Sequence, residues 1–204
     1  MRVSLLRHGM TLGNDIYRGR TDVALAPHGF EQMQQATTGF SVPVDYLVSS
    51  TLVRCAKFAH QHAQPELLDE RLQEMSFGDW DGRLRSDVWR DHEPQVKAFW
   101  ADPLGCAAPN GETLVQVQRR AMAALSEHVQ AAFSKGCKHV LIVTHGGVIR
   151  AILSELLHMK AAALFNMEVP YGGLVGLKVA QFEDVNGQPD THISVDFSAK
   201  QDIL

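Results

Sequence analysis

Apolar and polar positions alternate between two periods along this chain. Residues 3–6 form a short apolar run that stops abruptly at Arg7-His8-Gly9, as a buried strand does when it reaches the edge of a sheet. After a stretch with no clear period (15–27), Pro27-His28-Gly29 opens a helical pattern in which Phe30, Met33, Gln34 and Thr37 share one side and Gly39 ends the run. Residues 44–48 read as a second strand, and Ser49-Ser50-Thr51 supplies hydroxyls suited to capping the helix predicted over 52–62. A short strand is expected over 65–68. The run 69–82 then mixes five carboxylates with Phe77 and Trp80 and has no helical or strand period.

A helix over 84–100 is predicted from Leu84, Val88, Trp89, Val96, Phe99 and Trp100, with a break at Pro94. The glycines and prolines of 102–111 make that stretch irregular. The clearest helix spans 112–133, with Leu114, Val117, Ala121, Ala124, Leu125, His128 and Ala132 on one face. Residues 139–143 are the strongest strand, fully aliphatic after His139 and ending in Thr144-His145-Gly146-Gly147 before an apolar helix over 148–157. Segments 174–179 and 193–197, with a turn at Asn186-Gly187, read as a final hairpin. Strands alternating with helices place the chain among α/β proteins. Nothing resembling a linker or a repeat divides it, so residues 1–204 are expected to form one domain, with 82–110 as a helical, lid-like insertion.

Composition adds limits. With 204 residues the chain is long enough for a substantial core, and its formal net charge of −4 argues against a broad nucleic-acid footprint. Cys55, Cys106 and Cys137 are widely spaced and odd in number, which suggests neither a disulfide framework nor a zinc site. The lack of a membrane-length apolar run and of a signal-peptide pattern points to the cytoplasm. The apolar segment 165–173 is a candidate dimer contact.

The chemistry concentrates at strand ends. His8 has a side chain able to act as a nucleophile near neutral pH, and the neighbouring Arg7 guanidinium fits phosphate oxygens in pairs. His145-Gly146-Gly147 repeats the same strand–histidine–glycine design, and glycines opening a helix let backbone N–H groups approach an anion. Arg54 falls in the first turn of a predicted helix, where the dipole disfavours a cation unless an anion lies nearby. The five carboxylates of 69–82 offer a general acid, but spacing does not choose among them. His60 and His62 cannot share a helix face and read as surface residues, while His128 reads as a packed histidine.

Taken together, Arg7-His8-Gly9 with Thr11 and Asn14, Ser49 to Arg54, Glu74 to Gly82, Asn110-Gly111-Glu112-Thr113 and Val143 to Gly147 resemble, in order, the motifs of the histidine phosphatase superfamily, the phosphoglycerate-mutase-like fold. The resemblance implies a three-layer α/β sandwich with a mostly parallel central sheet flanked by helices and a small helical insertion over the active site. It implies a metal-independent, cofactor-free phosphomonoesterase acting on a small-molecule phosphate ester. His8, Glu74 and His145 would be catalytic, with His8 as nucleophile and Glu74 as the acid; Arg7, Arg54, Asn14 and Gly146 would bind phosphate. The Phe77-Gly78-Asp79-Trp80 form of the acid loop is similar to that of the alpha-ribazole-5'-phosphate phosphatases. Broad-specificity phosphatase, phosphoglycerate mutase and a non-catalytic phospholigand binder are the alternatives. The mutase reading is weakened because Lys97 is the lone cation within 95–103. Met10 departs from the family pattern, which usually has glutamate or glutamine there.

Overall fold

A computed structural model describes residues 1–13, 15–62, 66–183, 185–186 and 189–197. Among them, six strands form a single sheet. These are β1 (Arg2–Arg7), β2 (Tyr46–Ser49), β3 (Glu66–Leu68), β4 (His139–Thr144), β5 (Leu174–Glu183) and β6 (Pro189–Asp196), in the order β3-β2-β4-β1-β5-β6. The first four in that spatial order run parallel, and β5 and β6 join as the expected antiparallel hairpin. The helices are α1 (Pro27–Thr37), α2 (Val53–His60), α3 (Arg85–Ala101), α4 (Leu114–Ser134) and α5 (Gly146–Leu156). The mixed sheet flanked by helices is the α/β architecture expected from the strand–helix alternation.

The period-2 geometry of the strands divides the core in two. Val3, Leu5, Tyr46, Val48, Val140 and Ile142 belong to one cluster with α4 and α5 residues such as Val117, Leu125 and Ile149. Their neighbours Leu6, Leu47, Leu141 and Val143 point the other way, into a second cluster with Met33 of α1 and Phe58 of α2. A sheet buried on both faces needs continuous apolar strands, which is why β4 carries no polar residue between His139 and Thr144. No helix among the described residues is long and apolar enough to cross a membrane.

Three local expectations are corrected. The hydroxyls of 49–51 do not cap α2: its N-cap is Leu52, and the Val53 N–H is instead taken by the Asp22 carboxylate from a distant loop at 2.7 Å. The break in α3 falls at His92 (φ −136°, ψ 30°), two residues ahead of Pro94, because the proline ring displaces the turn before it. The 112–133 helix starts later, at Leu114, where Thr113 and Gln116 form a reciprocal capping box. Asn14, Pro65 and Gly187 lie outside the described residues, so the Asn14 phosphate contact, the start of the third strand and the hairpin turn are not placed.

Candidate active site

Parallel register brings the two strand–histidine edges together. Arg7 of β1 pairs with Thr144 of β4, and the His8 N–H continues the ladder to the Thr144 carbonyl at 2.9 Å. His8 and His145 therefore emerge side by side, their rings in edge-to-face contact with centroids 5.1 Å apart. Ser49 of β2 pairs with Val143, which puts Ser50 and the start of α2 next to them. A pocket of about 420 Å³ opens at these carboxyl ends, lined by Arg7, His8, Arg54, Glu74, Gly146 and Gly147 on its inner side.

His8 is only 3% exposed. Its Nδ1 lies 2.8 Å from the Gly9 carbonyl, which can only accept, so Nδ1 carries the proton and Nε2 carries the lone pair. Burial, reinforced by the charges of Arg54 and Arg7, pushes the ring's pKa down to about 3. The imidazole is thus neutral and nucleophilic across the physiological range. The loop that bends away from it depends on glycine: a Cβ on Gly9 would sit 1.8 Å from the Gly29 carbonyl oxygen.

Arg54 is fully buried, an expensive position for a charge. It is held by the Gly19 carbonyl (2.7 Å), the Thr21 carbonyl (2.9 Å) and Nδ1 of His145 (3.2 Å). Arg7 donates to the Val169 carbonyl at 2.5 Å and lies 4.0 Å from the Tyr171 ring centre, while its Nε is buried with no protein partner among the described residues. A Cβ on Gly146 would fall 3.2 Å from that Nε and 3.3 Å from Nη1 of Arg150. The glycine at the start of α5 therefore leaves a gap between two guanidiniums and a helix N-terminus, a setting suited to an anion.

His145 stands directly behind His8 and Arg54. Its ring is completely buried and is not part of the pocket wall. Nδ1 accepts from Arg54 and Nε2 donates to Ser50 Oγ at 2.8 Å. A neutral imidazole has one donor and one acceptor, and both are used. The geometry makes His145 the group that orients Arg54, with burial and Arg54 holding its pKa well below the usual value.

Of the five carboxylates of 69–82, Glu74 is the one that lines the pocket, where a general acid would have to stand. Its oxygens accept from the Met75 N–H (2.9 Å) and the Gly147 N–H (3.2 Å). A Cβ on Gly147 would lie 2.2 Å from Oε1, so the second glycine is what lets the carboxyl reach α5. The acid loop is fixed from below by Arg120 of α4, which donates to the carbonyls of Arg71 (2.7 Å), Gln73 (2.6 Å) and Glu74 (3.1 Å). Glu112 clamps Arg120 (2.9 Å), Arg20 (3.1 Å) and the Ser76 N–H (2.8 Å). Burial would raise its carboxyl pKa, but these partners hold it below the ordinary range. Arg120 escaped the sequence reading because nothing in a helical period marks which polar residue turns toward a loop.

Other expectations resolve by position. His60 pairs with Glu66 at 2.8 Å on the surface, and His128 is packed between Tyr46 (2.9 Å) and Asp69 (2.9 Å). Lys97 pairs with Glu93 at 2.6 Å along α3 and does not line the pocket. The 165–173 segment contributes Phe165 and Tyr171 to the pocket wall, and Met10 is half-exposed and does not line the pocket.

The buried rings predict an acid-sensitive fold. The unfolded chain protonates histidine near 6.5, whereas folded His8 resists protonation down to about 3 and His145 well below its usual value. Their contribution is complete above pH 6.5 and is lost as the pH falls, by up to about 1.4 kcal/mol per pH unit for each ring. Asp81, pushed up to about 6 by burial, works in the opposite direction for one proton. The net expectation is a falling unfolding midpoint between pH 6.5 and 5 that becomes shallower in His8→Asn. A wild-type midpoint that stays flat there would show that the native rings protonate.

Comparison with known proteins agrees with this geometry. Residues 3–185 match the model of the histidine phosphatase superfamily (branch 1). The chain is 32% identical over 184 residues to an adenosylcobalamin/alpha-ribazole phosphatase of Salmonella typhimurium, covering 84% of this chain and 87% of the relative. It is 30% identical over 167 residues to a glucosyl-3-phosphoglycerate phosphatase of Mycolicibacterium vanbaalenii, covering 76% and 74%. A solved mycobacterial hydrolase superposes with a TM-score of 0.82 at 25% identity over 96% of both chains. With a neutral histidine, two guanidiniums and a carboxyl gathered at the sheet edge and the family model matching most of this chain, the chain belongs to the histidine phosphatase superfamily and is a phosphoric monoester hydrolase.

Proposed function

We propose that this enzyme hydrolyses alpha-ribazole 5'-phosphate to alpha-ribazole and phosphate, within cobalamin nucleotide-loop assembly, through a phosphohistidine on His8. The observation that carries the chemistry is the Nδ1–H bond from His8 to the Gly9 carbonyl, which leaves the Nε2 lone pair on a buried neutral ring. In the first step Nε2 forms a bond to phosphorus and the ester P–O bond breaks. The Glu74 carboxyl gives its proton to the leaving alkoxide. In the second, the Glu74 carboxylate takes a proton from water as that water attacks the phosphohistidine. This frees His8 and releases phosphate. Arg7, Arg54 and the N–H groups opening α5 spread the charge of the transferring group. His145 keeps the Arg54 guanidinium in line.

The choice of leaving group is supported by the acid-loop sequence, by the likeness to the Salmonella phosphatase and by the lack of a cation from the 95–103 stretch in the pocket. Steady-state hydrolysis of alpha-ribazole 5'-phosphate, glucosyl-3-phosphoglycerate and 3-phosphoglycerate tests it. The expected order places alpha-ribazole 5'-phosphate first by at least about tenfold in kcat/KM, a difference of roughly 1.4 kcal/mol in transition-state binding. Preference for either phosphoglycerate would overturn the assignment.

A further inference from the structure

The pocket has a second half that phosphate chemistry does not use. Beyond the guanidiniums its wall is formed by Phe77, Phe99, Trp100, Leu114, Leu164 and Phe165, side chains with no charge. Trp100 ends α3 in the 82–110 insertion, and Phe165 comes from the 3₁₀ turn Ala161–Asn166 that follows α5. These two distant segments meet ring to ring, edge to face, with centroids 4.6 Å apart. Yet Trp100 and Phe165 remain 42% and 41% exposed, so a large apolar area stands at the pocket mouth. Behind it the rings are braced. Trp100 abuts Phe99 at 5.3 Å, and Phe99 rests on Phe77 at 5.9 Å and on Trp80 at 6.1 Å. A braced indole is a stacking surface that costs little entropy to use. Of the other cations lining the pocket, Arg85 is paired with Asp15 at 3.1 Å, Arg18 reaches the Leu12 carbonyl at 3.5 Å, and Arg150 lies at the phosphate end beside Gly146.

We propose that Trp100 and Phe165 form a leaving-group subsite for a planar aromatic ring, continuous with the phosphate site and set by the helical insertion. The idea rests on the phosphatase reading for the phosphate end but not on any one natural substrate. A flat ring covers the exposed faces of both aromatics while its phosphate reaches His8. A polyol or a carboxylate-bearing leaving group gains nothing from the same wall and must give up hydration to approach it.

The test compares 1-naphthyl phosphate with glycerol 3-phosphate on wild type, Trp100→Ala, Trp100→Phe and Phe165→Ala. Trp100→Ala and Phe165→Ala are expected to lower kcat/KM for 1-naphthyl phosphate about tenfold more than for glycerol 3-phosphate, through KM and not kcat, and Trp100→Phe to restore most of the difference. Calorimetric binding of 1-naphthyl phosphate to the His8→Ala protein, which cannot turn it over, reads the same subsite independently, with Kd rising about tenfold when Trp100→Ala is added. Equal losses on both substrates, or an unchanged Kd, would overturn the proposal. A Trp100-dependent preference for 1-naphthyl phosphate together with inert alpha-ribazole 5'-phosphate would uphold the subsite and remove the proposed natural substrate.

Discussion

Replacing His8 with alanine is expected to lower kcat on any phosphomonoester by on the order of 10⁴-fold or more, the scale seen when a covalent nucleophile is deleted. The reason is specific to this site. His8 is the buried imidazole of the pocket wall, and its tautomer is fixed by the Gly9 carbonyl. No neighbour can replace it, because both nitrogens of His145 are bound to Arg54 and Ser50. The fold should survive the change: the ring makes one hydrogen bond to the protein, so leaving the Gly9 carbonyl unpaired costs about 1–3 kcal/mol. Brief incubation with radiolabelled substrate should leave an acid-labile phosphoryl label on wild type and none on His8→Ala. Turnover within tenfold of wild type would end the phosphohistidine mechanism.

Changing Glu74 to glutamine removes the proton but keeps an oxygen for the Met75 or Gly147 N–H, so the loop should hold its place. For an alkyl phosphate the expected loss in kcat/KM, which reads phosphoryl transfer to His8 alone, is roughly 10²- to 10⁴-fold, the usual worth of a positioned general acid. For p-nitrophenyl phosphate the loss in kcat/KM should be much smaller, because a nitrophenolate departs without a proton, while kcat falls for both substrates because hydrolysis of the phosphohistidine still lacks its base. That contrast separates proton transfer from positioning. If kcat/KM falls equally for both substrates, Glu74 acts by shaping the pocket, and the acid must be sought elsewhere.

Much of this was legible along the chain. The strand of 139–143 and the helix around Leu114 to Ala132 appear where their periods place them, since burial on a fixed face is what a period records. Arg54 was marked by its conflict with a helix dipole, and the structure shows it buried beside the site. Capping at α2 was not legible. The acceptor in that cap, Asp22, is 31 positions from Val53, and no local pattern encodes a contact across such a span. The choice of Glu74 among five nearby carboxylates was equally hidden, because it depends on which side chain the Arg120–Glu112 clamp turns inward. Trp100 was visible only as one more apolar position of a helix.

By itself, the sequence determined what each segment can be: which runs must bury, where a helix can start, and which strands end in a histidine and glycine. Those are local consequences of side-chain polarity and backbone freedom. Only the tertiary structure decided what meets. The register pairing Arg7 with Thr144 places the two histidines together, and packing then divides their work, exposing His8 to the pocket and sealing His145 behind Arg54. Burial also supplies the desolvation that keeps the His8 imidazole neutral, a property the residue acquires only when water is excluded around it.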